Sequence, residues 1–285
     1  MQYIDSSTFL KINKKVKSVS RKLGGEHVLI HSDIKNLFLF KFKSKIDLLE
    51  KHMNNINNIF SEFNIWMPTF NYDFTKTGLY NVNEDICQVG HLNNYFRKFC
   101  HWRTTTPVFN FSGMGKYPIE NIKSGQVINP FSFGSEFHYL YENKSVYCHY
   151  GSDISLTSIL HYVENITKKD LYRYSKKFYG IVKNNSLETN VILDYQVSPL
   201  KKRIKYDWKK IHLDLLNENL LYEYKIFTDV NYITLFSVRK VCDYWTNRLN
   251  EDPYYFLAKE SKKWVRKKID ALGRGFELNE NVTAG

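Results

Sequence analysis

The sequence predicts an α/β fold: a mixed central β-sheet flanked by helices. Three observations carry that expectation. Short apolar runs of strand character alternate with helix-patterned segments through the first half of the chain. The second half adds a hairpin signature and two further strand-like runs. Hydrophobic residues make up 43% of 285 residues, enough for a substantial core, and no repeat, low-complexity tract or Gly/Ser linker interrupts them. The expected organisation is therefore one unit over residues 1–285, with 170–237 as a candidate subdomain that carries the hairpin.

The elements follow in order. "EHVLIHSD" reads as a buried strand, and "NLFLFKF" as a second strand or a helix start. From Ile46 to Phe63 the apolar residues Ile46, Leu49, Met53, Ile56, Phe60 and Phe63 recur every three or four positions, which predicts an amphipathic helix. "NIWMPTF" is a buried strand stopped by Pro68. Residues 71–90 are polar, aromatic and irregular, as a functional loop would be. Leu92, Phe96 and Phe99 mark a short helix ending before Trp102. "KSVYCHYG" is a strand, and "TSILHYVENI" a helix with Ile159, Val163 and Ile166 on one face. "YGIVKNNSLETNVILDYQV" is two strands around a polar turn. "YEYKIF" and "YITLFSV" are strands, and Val238–Leu249 and Tyr254–Ile269 are helices joined at Asp252-Pro253.

Composition narrows the function. No apolar run approaches the roughly 20 residues of a membrane span, and no basic start with an apolar h-region marks a signal peptide. The four cysteines lack C-x-x-C spacing, which argues against a zinc cage or a disulfide framework. The expected location is the cytoplasm, with no metal. The net charge of +12, densest at "KKRIKYDWKK" and "KESKKWVRKK", favours anionic ligands or simply solvated helix faces. No nucleic-acid-binding motif accompanies it, so the expected partners do not include nucleic acid.

Four segments carry chemistry. His31-Ser32-Asp33 follows a strand, where hydroxyls and backbone N–H groups suit phosphate or amide recognition; Ser and Asp there are also ordinary helix caps. Met67-Pro68-Thr69-Phe70 ends a strand. "HWRTTTPVFNFSGMG" places Arg103, Thr104 and two more Thr before Pro107 and a Gly-x-Gly. An arginine suits a phosphate or carbonyl, and glycines permit close approach to backbone, but the third Gly of a dinucleotide fingerprint is missing. In "GSDISLTSILHYVENI", His161 and Glu164 stand three apart, so on a helix the carboxylate orients the imidazole as a general base requires.

Taken in order, "VLIHSDIKNL", "MPTF", "ICQVGHLNNYFRKFCHWRTTTPVFNFSGMG" and "YGSDISLTSILHYVE" resemble the aminoglycoside 3-N-acetyltransferase family over about residues 25–167. The tail "FSVRKVCDYWTNRLNEDPYYFL" is similar to that family's C-terminal end. The resemblance implies an acyl-CoA-dependent N-acyltransferase. It makes His161 the base that takes a proton from the acceptor amine and Glu164 its partner. It places Ser32, Thr69 and Arg103 around the CoA arm and thioester, and His31, Asp33 and Thr104 beside them are further candidate cofactor contacts. Tyr72, Asp73 and Glu136 are the candidate acceptor contacts. The sequence departs from the family pattern in reading Arg-Thr-Thr-Thr-Pro where Arg-Ser-x-His-Pro is usual, and in carrying Ser158 three residues before the base.

Charge bears on the acceptor. A protein of +12 attracts polycationic aminoglycosides poorly, whereas CoA and nucleotide-linked sugars carry phosphates. The expected acceptor is therefore a nucleotide-linked amino sugar, as used in surface polysaccharide synthesis, receiving an acetyl or short hydroxyacyl group from acyl-CoA. The alternatives are an aminoglycoside-modifying resistance enzyme and a non-catalytic anion or nucleic-acid binder. A homo-oligomer is the base-rate expectation.

Overall fold

The computed structural model describes residues 6–35, 37, 39–115, 119–169, 172–199, 204–227 and 230–272. In chain order its elements are α1 Ser6–Leu23, β1 His27–Ser32, α2 Lys45–Ile59, β2 Asn64–Pro68, α3 Phe74–Thr77, β3 Leu79–Asn81, α4 His91–Phe96, β4 Trp102–Arg103, β5 Phe111–Gly113, β6 Gln126–Ile128, α5 Glu136–Glu142, β7 Val146–Tyr150, α6 Ile159–Thr167, β8 Tyr174–Asn184, β9 Leu187–Val197, α7 Trp208–Asn217, β10 Tyr222–Phe227, β11 Val230–Ser237, α8 Val238–Glu251 and α9 Lys259–Leu272.

A seven-stranded mixed sheet runs β10-β11-β7-β1-β2-β5-β4. β7, β1 and β2 are parallel to one another, and antiparallel strands extend both flanks. β1 is buried along its whole length, as a central parallel strand with both faces covered must be. Its alternation divides the core. Val28 and Ile30 join Val16, Met53 and Ile56 beneath α1 and α2, while Leu29 joins Leu160, Val163, Val241 and Trp245 beneath α6 and α8. α2 starts where Ser44 accepts the Asp47 backbone N–H at 3.1 Å, a side-chain cap that satisfies one of the helix's open donors.

The hairpin lies in a second sheet rather than in the first. β8 and β9 pair over eleven residues, and β3 and β6 flank them in the order β3-β8-β9-β6. Its core includes Phe74, Tyr80, Val108, Ile128 and Leu193. Other expectations also shift. Leu37 and Leu39 of "NLFLFKF" stand in irregular backbone, and Asn36 and Phe38 lie outside the described residues. The last helix begins at Lys259, because residues 254–257 form a turn that bridges to Tyr206. Among the described residues no helix is long and apolar enough to cross a membrane.

Candidate active site

Parallel strands bring their C-terminal ends to one edge, where α/β sheets place ligands. Here Ser32 of β1, Pro68 of β2 and Tyr150 of β7 end together. A groove of about 650 Å³ opens above that edge, walled by His31–Lys35, Pro68, Phe70, Tyr72, 87–94 and Ser155–Ser158. The Ser32 hydroxyl donates to Asn93 Oδ1 at 2.5 Å, and Asn93 Nδ2 donates to the Pro68 carbonyl at 2.8 Å, tying the groove walls together. Gly90, with φ +97°, lets α4 begin so close that an added Cβ would sit 3.3 Å from the Ser32 carbonyl.

His31 stacks on Tyr147 with centroids 5.2 Å apart and is 7% exposed. Burial, with His149 nearby, pushes its pKa well down, so the ring is neutral. Its Nε2 has no hydrogen-bond partner among the described residues, a buried polar atom of the kind a ligand satisfies. His149 lies below, bonded to Ser152 Oγ at 3.0 Å and Thr157 Oγ1 at 2.8 Å, and so links β7 to the approach to α6.

That approach places His161 on the first turn of α6, where it lines the groove. His161 Nδ1 lies 2.9 Å from Glu164 Oε2. Glu164 is 1% exposed and saturated. Its Oε1 accepts from Tyr172 and, at 2.8 Å, from Tyr206; Arg173 Nε lies 3.5 Å from Oε2. Burial pushes the Glu164 pKa up, but Arg173 and the His161 and Tyr172 donors outweigh it and leave the group below its ordinary value. An ionised Glu164 fixes the proton of His161 on Nδ1, which leaves Nε2 with a lone pair and no partner among the described residues. Burial and the positive charge of Arg173 lower the His161 pKa against the opposing pull of Glu164, so the ring is a neutral base near pH 7.

A second, smaller chamber of about 210 Å³ also borders His161, walled by Tyr72, Phe109, Phe131, Glu164, Asn165, Arg173, Tyr195 and Gln196. His161 and Tyr72 belong to both cavities.

The sequence-predicted residues separate into two groups. His31, Ser32, Asp33, Tyr72, His161 and Glu164 converge on the cavities. Thr69, Arg103, Thr104 and Glu136 do not line either one. Arg103 is 8% exposed, and its nitrogens donate to Asn110 Oδ1, to the Val82 and Asp85 carbonyls and to the Thr69 carbonyl at 2.6–3.0 Å. It braces the loops behind the groove, with four of its five N–H donors committed to protein oxygens. Thr69 and Thr104 are fully buried, and the Thr69 N–H is given to the Asn110 carbonyl, which leaves none for an oxyanion. Glu136 is buried against the Thr106 hydroxyl. Asp73 lines neither cavity; it accepts from Gln88 Nε2 at 2.9 Å at the groove's margin.

The sequence reading missed Tyr172, Arg173 and Tyr206, which complete the carboxylate's shell, and the ring cluster of Phe109, Phe131 and Tyr195. These residues come from five separate segments, so no local spacing announces them. Cysteine chemistry finds no support in the geometry. Cys148 is fully buried with its pKa pushed up, and Cys87, though it lines the groove, is raised to about 11 by burial and so stays a thiol. Among the described residues no group of three or more His, Cys, Asp or Glu could hold a metal.

No protein-family model matches the sequence, and no curated protein matches it. Solved structures do resemble it. AAC-IIIb, in a binary structure with CoASH, superposes with a TM-score of 0.63 at 10% identity, covering 84% of this chain and 96% of that one. Aminoglycoside acetyltransferase AAC(3)-IVa superposes as the apoenzyme with a TM-score of 0.60 at 14% identity, covering 88% and 93%. The YokD protein from Bacillus subtilis gives 0.59 at 14%, covering 84% and 93%. At these identities the likeness shows the architecture: this chain has the fold of the aminoglycoside 3-N-acetyltransferase structures.

Proposed function

We propose that the protein is an acyl-CoA-dependent N-acyltransferase with His161 as general base and the amine of a nucleotide-linked amino sugar as acceptor. The observation that carries this is the position of His161: one imidazole lines both the groove and the small chamber, its Nδ1 anchored on Glu164 and its Nε2 without a partner among the described residues. The groove suits a pantetheine arm in volume and in its unsatisfied His31 Nε2, and Lys35 and His91 at its walls suit phosphates. The AAC-IIIb structure with CoASH has this fold, which supports the same donor here.

Bound acyl-CoA supplies a thioester carbonyl. An amine held in the chamber attacks that carbonyl; the C–N bond forms, the C–S bond breaks, and CoA thiol leaves. An alkyl amine is mostly protonated near neutrality, so it first loses one proton to solvent; the neutral nitrogen that attacks sheds a second proton as the C–N bond forms, and this one passes to His161 Nε2 and then to the departing sulfur. Holding both reactants against one imidazole supplies much of the rate. Glu164 keeps the imidazole in the productive tautomer, and Tyr172, Tyr206 and Arg173 keep Glu164 ionised and fixed.

The acceptor assignment rests on charge. Glu164 is the sole carboxylate among the chamber's described lining residues, and Arg173 neutralises it. The test is thiol release from acetyl-CoA and hydroxyacyl-CoA with free amino sugars, nucleotide-linked amino sugars and aminoglycosides. Turnover with nucleotide-linked amino sugars is expected. Turnover confined to aminoglycosides would overturn the acceptor, and no thiol release with any amine would overturn the enzyme.

A further inference from the structure

The second chamber at His161 is small. Its 210 Å³ falls below the roughly 300–1,000 Å³ that pockets for drug-sized ligands occupy. Its walls are mainly aromatic. Phe109 sits at their centre, with ring centroids 4.7 Å from Phe131, 5.3 Å from Tyr195 and 6.3 Å from Tyr72. Phe131 meets His161 edge-on at 5.4 Å, so the ring cluster leads directly to the imidazole. Asn165 and Gln196 add two neutral amides to the wall, and neither side chain hydrogen-bonds to another described residue. Three hydrogen-bond donors, His161, Tyr172 and Tyr206, and the charge of Arg173 already occupy Glu164.

The geometry points to a single amino-sugar ring as the unit this chamber recognises: its apolar C–H face against Phe109 and Tyr195, its hydroxyls on the Asn165 and Gln196 amides, and its amine toward His161 Nε2. Aromatic faces with a few placed amides suit a sugar, which presents apolar C–H faces and a hydroxyl rim. A group linked to the ring, such as a nucleotide, then lies outside the chamber and is not needed for binding. A multi-ring polycation finds neither the volume nor a free carboxylate. The fate of the amine rests on the acyl-transfer reading; the seating of the ring does not.

The experiment is saturation-transfer NMR with glucosamine as probe and apramycin as comparator. Wild-type protein is measured beside Tyr195→Leu, Gln196→Ala and Tyr179→Ala, the last being an exposed residue of the same hairpin that lines neither cavity. Saturation is expected to reach the glucosamine ring protons. Affinity should fall about tenfold in Tyr195→Leu as a stacking partner is lost, should weaken in Gln196→Ala, and should be unchanged in Tyr179→Ala. Gln196 is only partly buried, so its variant tests the chamber even if Tyr195→Leu fails to fold. Absence of transfer to glucosamine, or apramycin binding with equal strength, overturns the assignment. Glucosamine bound in the chamber without thiol release from acetyl-CoA supports the ring site and overturns acyl transfer alone.

Discussion

Replacing Glu164 with Gln removes one charge from a carboxylate that three hydrogen-bond donors and the charge of Arg173 hold. Its Oε1 takes the Tyr172 and Tyr206 phenols, and its Oε2 takes His161 Nδ1 and faces Arg173. Either orientation of the new amide aims an NH₂ at groups that now donate. Arg173, whose side chain is 13% exposed, keeps Ser198 at 3.0 Å and Tyr206 at 2.7 Å but loses its counter-charge. Leaving a buried charge uncompensated costs about 3–5 kcal/mol. The catalytic effect is separate. With the carboxylate gone, the imidazole is free to place its proton on Nε2, where it cannot act as a base, and loss of the orienting acid from comparable triads costs about 10⁴-fold in rate. Urea unfolding and thiol release on the same preparation measure both. A loss of several kcal/mol, together with a fall of 10²-fold or more in kcat among molecules that remain folded, is expected. A folded Glu164→Gln protein with kcat within about threefold of wild type would refute the tautomer argument.

Two further outcomes follow from buried groups. Burial lowers His52 to about 4 and His149 to about 3. Below about pH 6.5 the unfolded chain takes up protons that these rings refuse when folded, so stability is full above that pH and falls as pH drops toward the folded values. Each ring contributes about 1.4 kcal/mol per pH unit. From pH 6.5 to 4.5 the pair should therefore remove about 5 kcal/mol. Urea midpoints across that range test it, and a flat or rising midpoint would contradict it. Arg103→Lys leaves the Val82, Asp85 and Thr69 carbonyls short of donors in buried surroundings. Stability should fall by about 2–4 kcal/mol, while the donor KM changes far less than the loss of a phosphate contact would require. A large KM rise with unchanged stability would return Arg103 to the ligand.

What was legible in the sequence was local. The three-residue spacing of His161 and Glu164 needs only a helix to bring them together, and α6 provides it. "HVLIHS", a run buried on both faces, and the polar Asn185-Ser186 turn of the hairpin were likewise readable. The hairpin's membership in a second sheet was not, because its parallel partners β3 and β6 are three residues each and carry no periodicity of their own. α1 went unread although Phe9, Ile12, Val16, Val19 and Leu23 keep helical spacing; that signal was present. Arg103 shows the opposite limit. An arginine beside threonines in a Gly-containing segment suits a ligand or a brace equally well in sequence, and only the three carbonyls brought to it by distant loops decide for the brace. The acceptor chamber was invisible for the same reason, since β8–β9 and the loops before β5 and α5 each supply rings that mean little alone.

The central claim is that the imidazole of His161 accepts the amine proton, and the pH dependence of kcat/KM for acyl transfer tests it most directly. Wild type should show an acid limb with an apparent pKa below the ordinary histidine value, since burial and Arg173 lower it. His161→Ala should lose that limb along with 10²- to 10⁴-fold of the rate. The same limb and a near-normal rate in His161→Ala would contradict the account.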